Sequence, residues 1–254
     1  MNHFAVFFKK ELKESVKTYK LLLLGIVFLI LGIMNPLVAK LTPDLLASFL
    51  PEGMSITIPE PSSLDSWAQF FKNIQQMGLI VVLLVFSGVL TNELSRGTLV
   101  LLLTKGLPRQ TVILAKYAAM LVLWTMSVAI SHVVTWVYTV YLFPDNLSQN
   151  LFFATFCLWF FGALLLAVLL LGGTLVSSSY GSLLVTGGLV VLLNLLNLFS
   201  ALKEYNPLAL ATKNMDVVSG AVAVSELYPQ IGITVALILA TLGLTVLLFR
   251  RKLV

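Results

Sequence analysis

Charge is scarce in this chain. Only 11% of its 254 residues are Asp, Glu, Lys or Arg, while 59% are hydrophobic. Soluble domains carry roughly 25% charged residues. The shortage excludes a large soluble catalytic domain, and most of the bulk must be apolar spans joined by short loops. Cysteine is nearly absent. The single Cys157 lies in an apolar run, so an intrachain disulfide is impossible and the residue serves as small packing. The two histidines, His3 and His132, are far apart in sequence and with one cysteine make no convincing metal set. Neither G-x-x-x-x-G-K-[ST] nor H-E-x-x-H occurs, which excludes a P-loop and a zinc-protease helix in this chain. No cofactor is expected here.

What is present is a series of long uncharged runs. A helical span needs about 20 predominantly apolar residues. Candidate spans fall at 21–39, 74–92, 117–143, 151–176, 183–202 and 230–249. The fourth and fifth share one uncharged stretch, which must turn at the Ser- and Gly-containing run 177–182. Asn35-Pro36 is expected to end or kink the first span. Pro43, Pro51, Pro59 and Pro61 make 40–72 a proline-rich outer segment. Within it, a short helix over 64–75 would hold Trp67, Phe70 and Phe71 near the membrane surface. Segment 203–229, with Asn206-Pro207 and a semi-apolar stretch, has the character of a re-entrant element. The fold class is therefore all-α, a polytopic membrane protein of six spans.

Twelve of the sixteen Lys and Arg residues cluster in three places: the first twenty residues, the segment after span two with Lys116 at its edge, and the C-terminal tail. The other four fall on the opposite side with most of the acidic residues, which predicts both termini in the cytoplasm. The net charge of +5 is thus a matter of topology, and nucleic acid is not an expected partner. Phe8, Leu12, Val16 and Tyr19 recur at helical spacing among lysines that can snorkel to anionic head groups. This pattern predicts an amphipathic interfacial helix over 1–20. A cleavable signal peptide is disfavoured, because its charged region would be too long.

No Asp, Glu, Lys or Arg falls near a span centre, which argues against a self-powered ion-coupled transporter. The in-span polar residues are mild. Asn194 and Asn197 share one helix face; they are candidates for a translocation path or for a helix–helix hydrogen bond. His132 is read as a packed or hydrogen-bonded histidine. Gly172-Gly173 and Gly187-Gly188 permit close helix contact.

The run 92–110 poses the sharpest question. Residues 99–103 are apolar, flanked by Glu93 and Arg96 on one side and Lys105 and Arg109 on the other. Five residues cannot cross a bilayer. Thr98 can cap a helix over 99–105, and Gly106 and Pro108 stop it. Such a helix shows leucine on more than one face and needs a partner groove.

The run Glu93, Arg96, Gly97, Thr98, Leu99, then Leu102 and Leu103, then Pro108 and Arg109, then Lys116, resembles the pattern of ABC-2 type transporter permeases. The resemblance extends to the six-span outline with both ends inside. It implies that 93–110 is a coupling segment docking on a separate cytoplasmic ABC ATPase, which would hold ATP and Mg2+. Glu93 and Arg96 would orient the segment, and Leu99, Val100, Leu102 and Leu103 would pack. Lys105 and Arg109 would flank it. It further implies a second permease chain, identical or homologous, and membrane lipids around both. A bacterial cell-membrane location follows. Export of a hydrophobic or amphipathic peptide, drug or lipid is expected, because the outer segments are too short to receive a binding protein. Two rivals are a stand-alone membrane binding or immunity protein, which leaves the apolar cytoplasmic helix unexplained, and an intramembrane enzyme, for which the catalytic pairs are missing.

Overall fold

The computed structural model describes residues 3–48, 60–95, 97–104, 106–145 and 147–252. Side-chain placement is described for these except at 44–48, 100–102 and 251–252. Among the described residues there are helices and no strand. Among the described residues, six helical stretches are long and apolar enough to cross a membrane: Lys20–Pro43, Ser63–Ser95, Arg109–Leu142, Leu151–Val176, Ser179–Leu196 and Val224–Arg250.

The chain begins with α1 (His3–Lys17) and breaks at Tyr19, whose φ is 59°. It continues as α2 (Lys20–Ser48). Of the two outcomes expected at Asn35-Pro36, an end to the helix is ruled out, because α2 runs unbroken through Pro36. Proline has no N–H for the carbonyl four residues earlier, which is that of Gly32. The Thr135 hydroxyl from another span donates to that Gly32 carbonyl at 3.1 Å, and Asn35 Nδ2 donates to Thr135 Oγ1 at 3.1 Å. Asn73 Nδ2 in turn donates to Asn35 Oδ1 at 2.8 Å. The freed backbone group is satisfied from outside the helix, so no break is needed. A Cβ on Gly32 would sit 3.0 Å from Val134 Cβ and 3.1 Å from the Ser131 carbonyl, so the glycine permits this approach of the two helices.

The second span also differs from expectation. α3 (Ser63–Asn73), a π turn (Ile74–Gly78) and α4 (Leu79–Phe86) form one continuous helical rod, and α5 (Thr91–Ser95) closes the span. Its 33 residues are about 50 Å long at 1.5 Å per residue, well beyond the roughly 30 Å hydrocarbon core. Trp67, Phe70 and Phe71 are buried within the protein. They pack on one another, and Trp67 and Phe70 also meet the His132 ring.

After α6 (Thr98–Thr104) come α7 (Arg109–Leu142) and α8 (Leu151–Val176). α8 is the most buried span and forms the centre of the bundle, packing against α7, α9 (Ser179–Leu196) and the last helix. A Cβ at Gly172 would lie 2.9 Å from Ser182 Cα. That glycine therefore lets α8 and α9 fold tightly back, with the reversal at Ser177 in left-handed conformation. Gly187 and Gly188, by contrast, meet nothing within 4 Å. Span five stops at Leu196, short of the expected 202.

Segment 203–229 follows the short α10 (Ser200–Lys203). It holds α11 (Ala209–Thr212), α12 (Asn214–Val218) and a 3-10 turn (Val224–Leu227). α11 and α12 pack on α8 with Leu210, Val217 and Val218 fully buried. Asn214 Nδ2 donates to the Ala154 carbonyl at 2.9 Å. The last helix, α13 (Tyr228–Lys252), returns to the end of the bundle that carries α1 and α6.

Candidate coupling site

The segment after the second span is shaped by two glycines. Gly97 has φ +69° and Gly106 has φ +90°, conformations that side chains with a Cβ rarely adopt. Between them α6 forms an isolated two-turn helix. Thr98 is its first residue, and its hydroxyl donates to the Glu93 carbonyl at 3.3 Å. Leu99 is fully buried and Leu103 is partly buried, both against the main core. Arg96 and Lys105 lie outside the described residues, as do the side chains of Val100 and Leu102. Pro108 stands at the N-cap of α7 in extended conformation.

Beside α6 lies a cluster of charge whose centre, Lys116 with Glu11 and Glu93, is largely buried. Lys116, two turns into α7, is 1% exposed. Its ammonium donates to both Glu11 carboxylate oxygens at 3.0 Å and pairs with Glu93 Oε2 at 2.7 Å. Lys10 completes the cluster, contacting Glu93, Glu11 at 3.0 Å and Glu14 at 2.7 Å. Burial acts to lower the Lys10 pKa, but hydrogen bonds to Glu14 and Glu93 and the Glu11 charge outweigh it. They hold the ammonium above its ordinary range. The Phe7 ring lies under both lysines, with Nζ atoms 5.2 and 5.8 Å from its centroid. Three elements distant in sequence (α1, the end of span two and α7) are thereby joined at one point.

The cluster also sets which face of α1 meets the rest of the protein. The buried stripe of α1 is Phe7, Glu11 and Ser15, not the apolar series. Phe8 and Leu12 pack at its edge, while Val16 and Tyr19 are exposed. A carboxylate can occupy the centre of a buried face only when paired, and here Lys116 pairs it. Apolarity alone does not mark Glu11 and Lys10 as site residues. The available signal was Lys116 itself, a lone charge just inside a span, which requires a carboxylate partner. The carboxylates of Glu11, Glu14 and Glu93 also lie within 4.8 Å of one another, but the two ammonium groups already occupy the position a cation would take.

Other predicted residues sit elsewhere. Arg109 Nη1 donates to the Arg250 carbonyl, so it tethers the C-terminal part of α13, where a cation is favoured. Asn194 and Asn197 part company. Asn197 Oδ1 accepts a hydrogen bond from buried Asn206 at 2.8 Å, locking α9 to the segment that follows. Asn194 is exposed and its Nδ2 donates to the Val190 carbonyl of its own helix. His132 Nδ1 is hydrogen-bonded to Thr155 Oγ1 at 3.0 Å.

Comparison with known proteins agrees with this architecture. The family model described as ABC-2 family transporter protein matches residues 5–253. The chain is also similar to "Uncharacterized transmembrane protein YxlG" of Bacillus subtilis (strain 168). The two are 26% identical over 176 residues, covering 68% of each.

Proposed function

The chain belongs to the ABC-2 transporter family, and we propose that it is the transmembrane subunit of an ATP-driven exporter whose ATPase is a separate chain. A second permease chain, identical or homologous, completes the path. The basic end faces the cytoplasm of a bacterial cell, following the bias of Lys and Arg. There α1 lies along the membrane interface, with exposed Phe4, Val6 and Val16 turned to lipid. α6 docks in a groove of the ATPase, which holds ATP and Mg2+.

The observation that carries this reading is the junction of α6 with the Glu93–Lys116–Glu11–Lys10 cluster. A two-turn helix hung between two left-handed glycines has little stiffness of its own. Anchored through buried Leu99 and through Glu93, it moves with the start of α7 and with α1. Closure of the ATPase on ATP would displace α6, and the ion cluster would pass that displacement to α7 and α1 as one body. ATP can drive the switch only by binding the closed state more tightly than the open one. Glu93, Lys116 and Glu11 are positioning residues in this scheme. The cargo is hydrophobic or amphipathic, such as a peptide, a drug or a lipid.

The test is a detergent pull-down of the tagged chain from its native membrane, with hydrolysis of ATP assayed in the eluate. Wild type is expected to bring down a P-loop ATPase. Leu102→Asp is expected to lose it while still inserting in the membrane. Undiminished association and ATP-dependent transport in that variant would refute the docking of α6. A chain that elutes alone, without hydrolysis, would return the stand-alone binding protein to first place.

A further inference from the structure

A cavity of about 640 Å³ opens beside the ion cluster, between α1, the end of span two and α7. Its lining is split. Toward the basic end it is polar, with the cluster, Lys20, Thr18 and Asn92. Deeper along the spans its walls are Phe86 and Val89 from the second span and Met120 from α7. Every carboxylate of the cluster is within 3.0 Å of Lys10 or Lys116. Lys20, the first residue of α2 and partly buried, has no carboxylate within 4.0 Å among the described residues. The side chain of Asn92 likewise makes no hydrogen bond to a described residue. At its polar mouth the cavity therefore offers one ammonium that no carboxylate of the described residues contacts directly, with Glu14, Glu11 and Glu93 acting on it only through space, and one amide without a hydrogen-bond partner among them, above an apolar slot of Phe86, Val89 and Met120.

We propose that this cavity binds one glycerophospholipid, its phosphodiester on Lys20 and Asn92 and an acyl chain along Phe86, Val89 and Met120. A free phosphate would satisfy the cation but leave the apolar half unfilled; a lipid fills both. The bound molecule then lies against the cluster that anchors α6, so its occupancy stabilises the coupling end by mass action. The proposal rests on the permease reading only for which leaflet supplies the lipid.

The experiment is native mass spectrometry of the purified full chain in detergent, titrated with dioleoyl phosphatidylglycerol, with dioleoylglycerol, and with inorganic phosphate as competitor. Wild type is expected to retain one phosphatidylglycerol and no dioleoylglycerol. Lys20→Gln should weaken retention at least about tenfold, and Lys20→Arg should restore it. Lys13→Gln, on the exposed side of α1, should leave it unchanged. Val89→Trp, which fills the apolar slot, should also lower retention. Equal retention in Lys20→Gln, equal loss in Lys13→Gln, or equal binding of dioleoylglycerol would overturn the site. Displacement of the lipid by millimolar phosphate would reassign it to a free anion. ATPase capture, read on the same preparations, reports separately on the permease reading.

Discussion

Replacing Lys116 by Met removes the ammonium at the centre of the cluster and leaves a side chain of similar length. Glu11 and Glu93 then lose their shared partner, and only Lys10, itself 40% exposed, remains to face three carboxylates. At the 3.0 Å Lys116–Glu11 separation, an effective dielectric of about 20 gives each contact about 5–6 kcal/mol of Coulomb energy before desolvation. Dehydrating an ammonium that is 1% exposed takes back much of this. The measurable quantity is the cost of orphaning a buried charge, about 3–5 kcal/mol. The assay is reversible unfolding by SDS in mixed micelles, followed by tryptophan fluorescence. Buried Trp67 and Trp124 supply the signal. Glu11→Leu alone should also destabilise, because it strips Lys116 of one carboxylate. The double variant Lys116→Met/Glu11→Leu should cost less than the two singles together by at least about 2 kcal/mol, since neither then leaves the other unpaired. A Lys116→Met penalty under about 1 kcal/mol, or strict additivity, would refute the claim that the cluster holds α1 to α7.

Three further outcomes follow from other contacts. Asp145 accepts hydrogen bonds from the amide and hydroxyl of Ser63 at the start of α3 and from the Leu147 amide. Slight burial acts to raise its pKa, but these bonds outweigh it and hold the carboxyl below its ordinary value. Its contribution is complete above the unfolded aspartate value of about 3.9 and disappears as pH falls through the depressed folded value. Asp145→Asn should thus lower stability modestly at neutral pH, where solvent screens a group this exposed, with the gap to wild type closing in acid-titrated unfolding curves. Thr135→Val removes the donor to the Gly32 carbonyl and should cost about 0.6–2 kcal/mol; Pro36→Ala, which restores the missing amide, should recover most of that loss in the same SDS assay. Gly97→Ala forces a Cβ into left-handed backbone at about 1–2 kcal/mol; it should reduce ATPase co-elution from the native membrane, and full co-elution would show that the entry angle of α6 is unimportant.

The stop of α6 at Gly106 and the hydrophobic runs of the spans were legible in the chain because both are local. A positive φ needs glycine whatever surrounds it, and an apolar run must leave water whatever it meets. The same locality explains the errors. Pro36 read as a break because its remedy, the Thr135 hydroxyl, stands 103 residues from the Gly32 carbonyl it satisfies. Nothing local to α1 marks Glu11 as buried, because the partner that makes it buriable lies 105 residues away. Asn194 and Asn197 share a helix face, yet only Asn197 meets Asn206.

Sequence by itself determined that this is an all-helical membrane chain with a short helix after its second span that Gly106 and Pro108 stop, since hydropathy and backbone sterics act residue by residue. Tertiary structure decided which charges are buried, which proline leaves its helix unbroken and which asparagines lock helices together. A polar group inside a membrane protein is tolerated only where a partner reaches it, and the partner is chosen by how the helices pack.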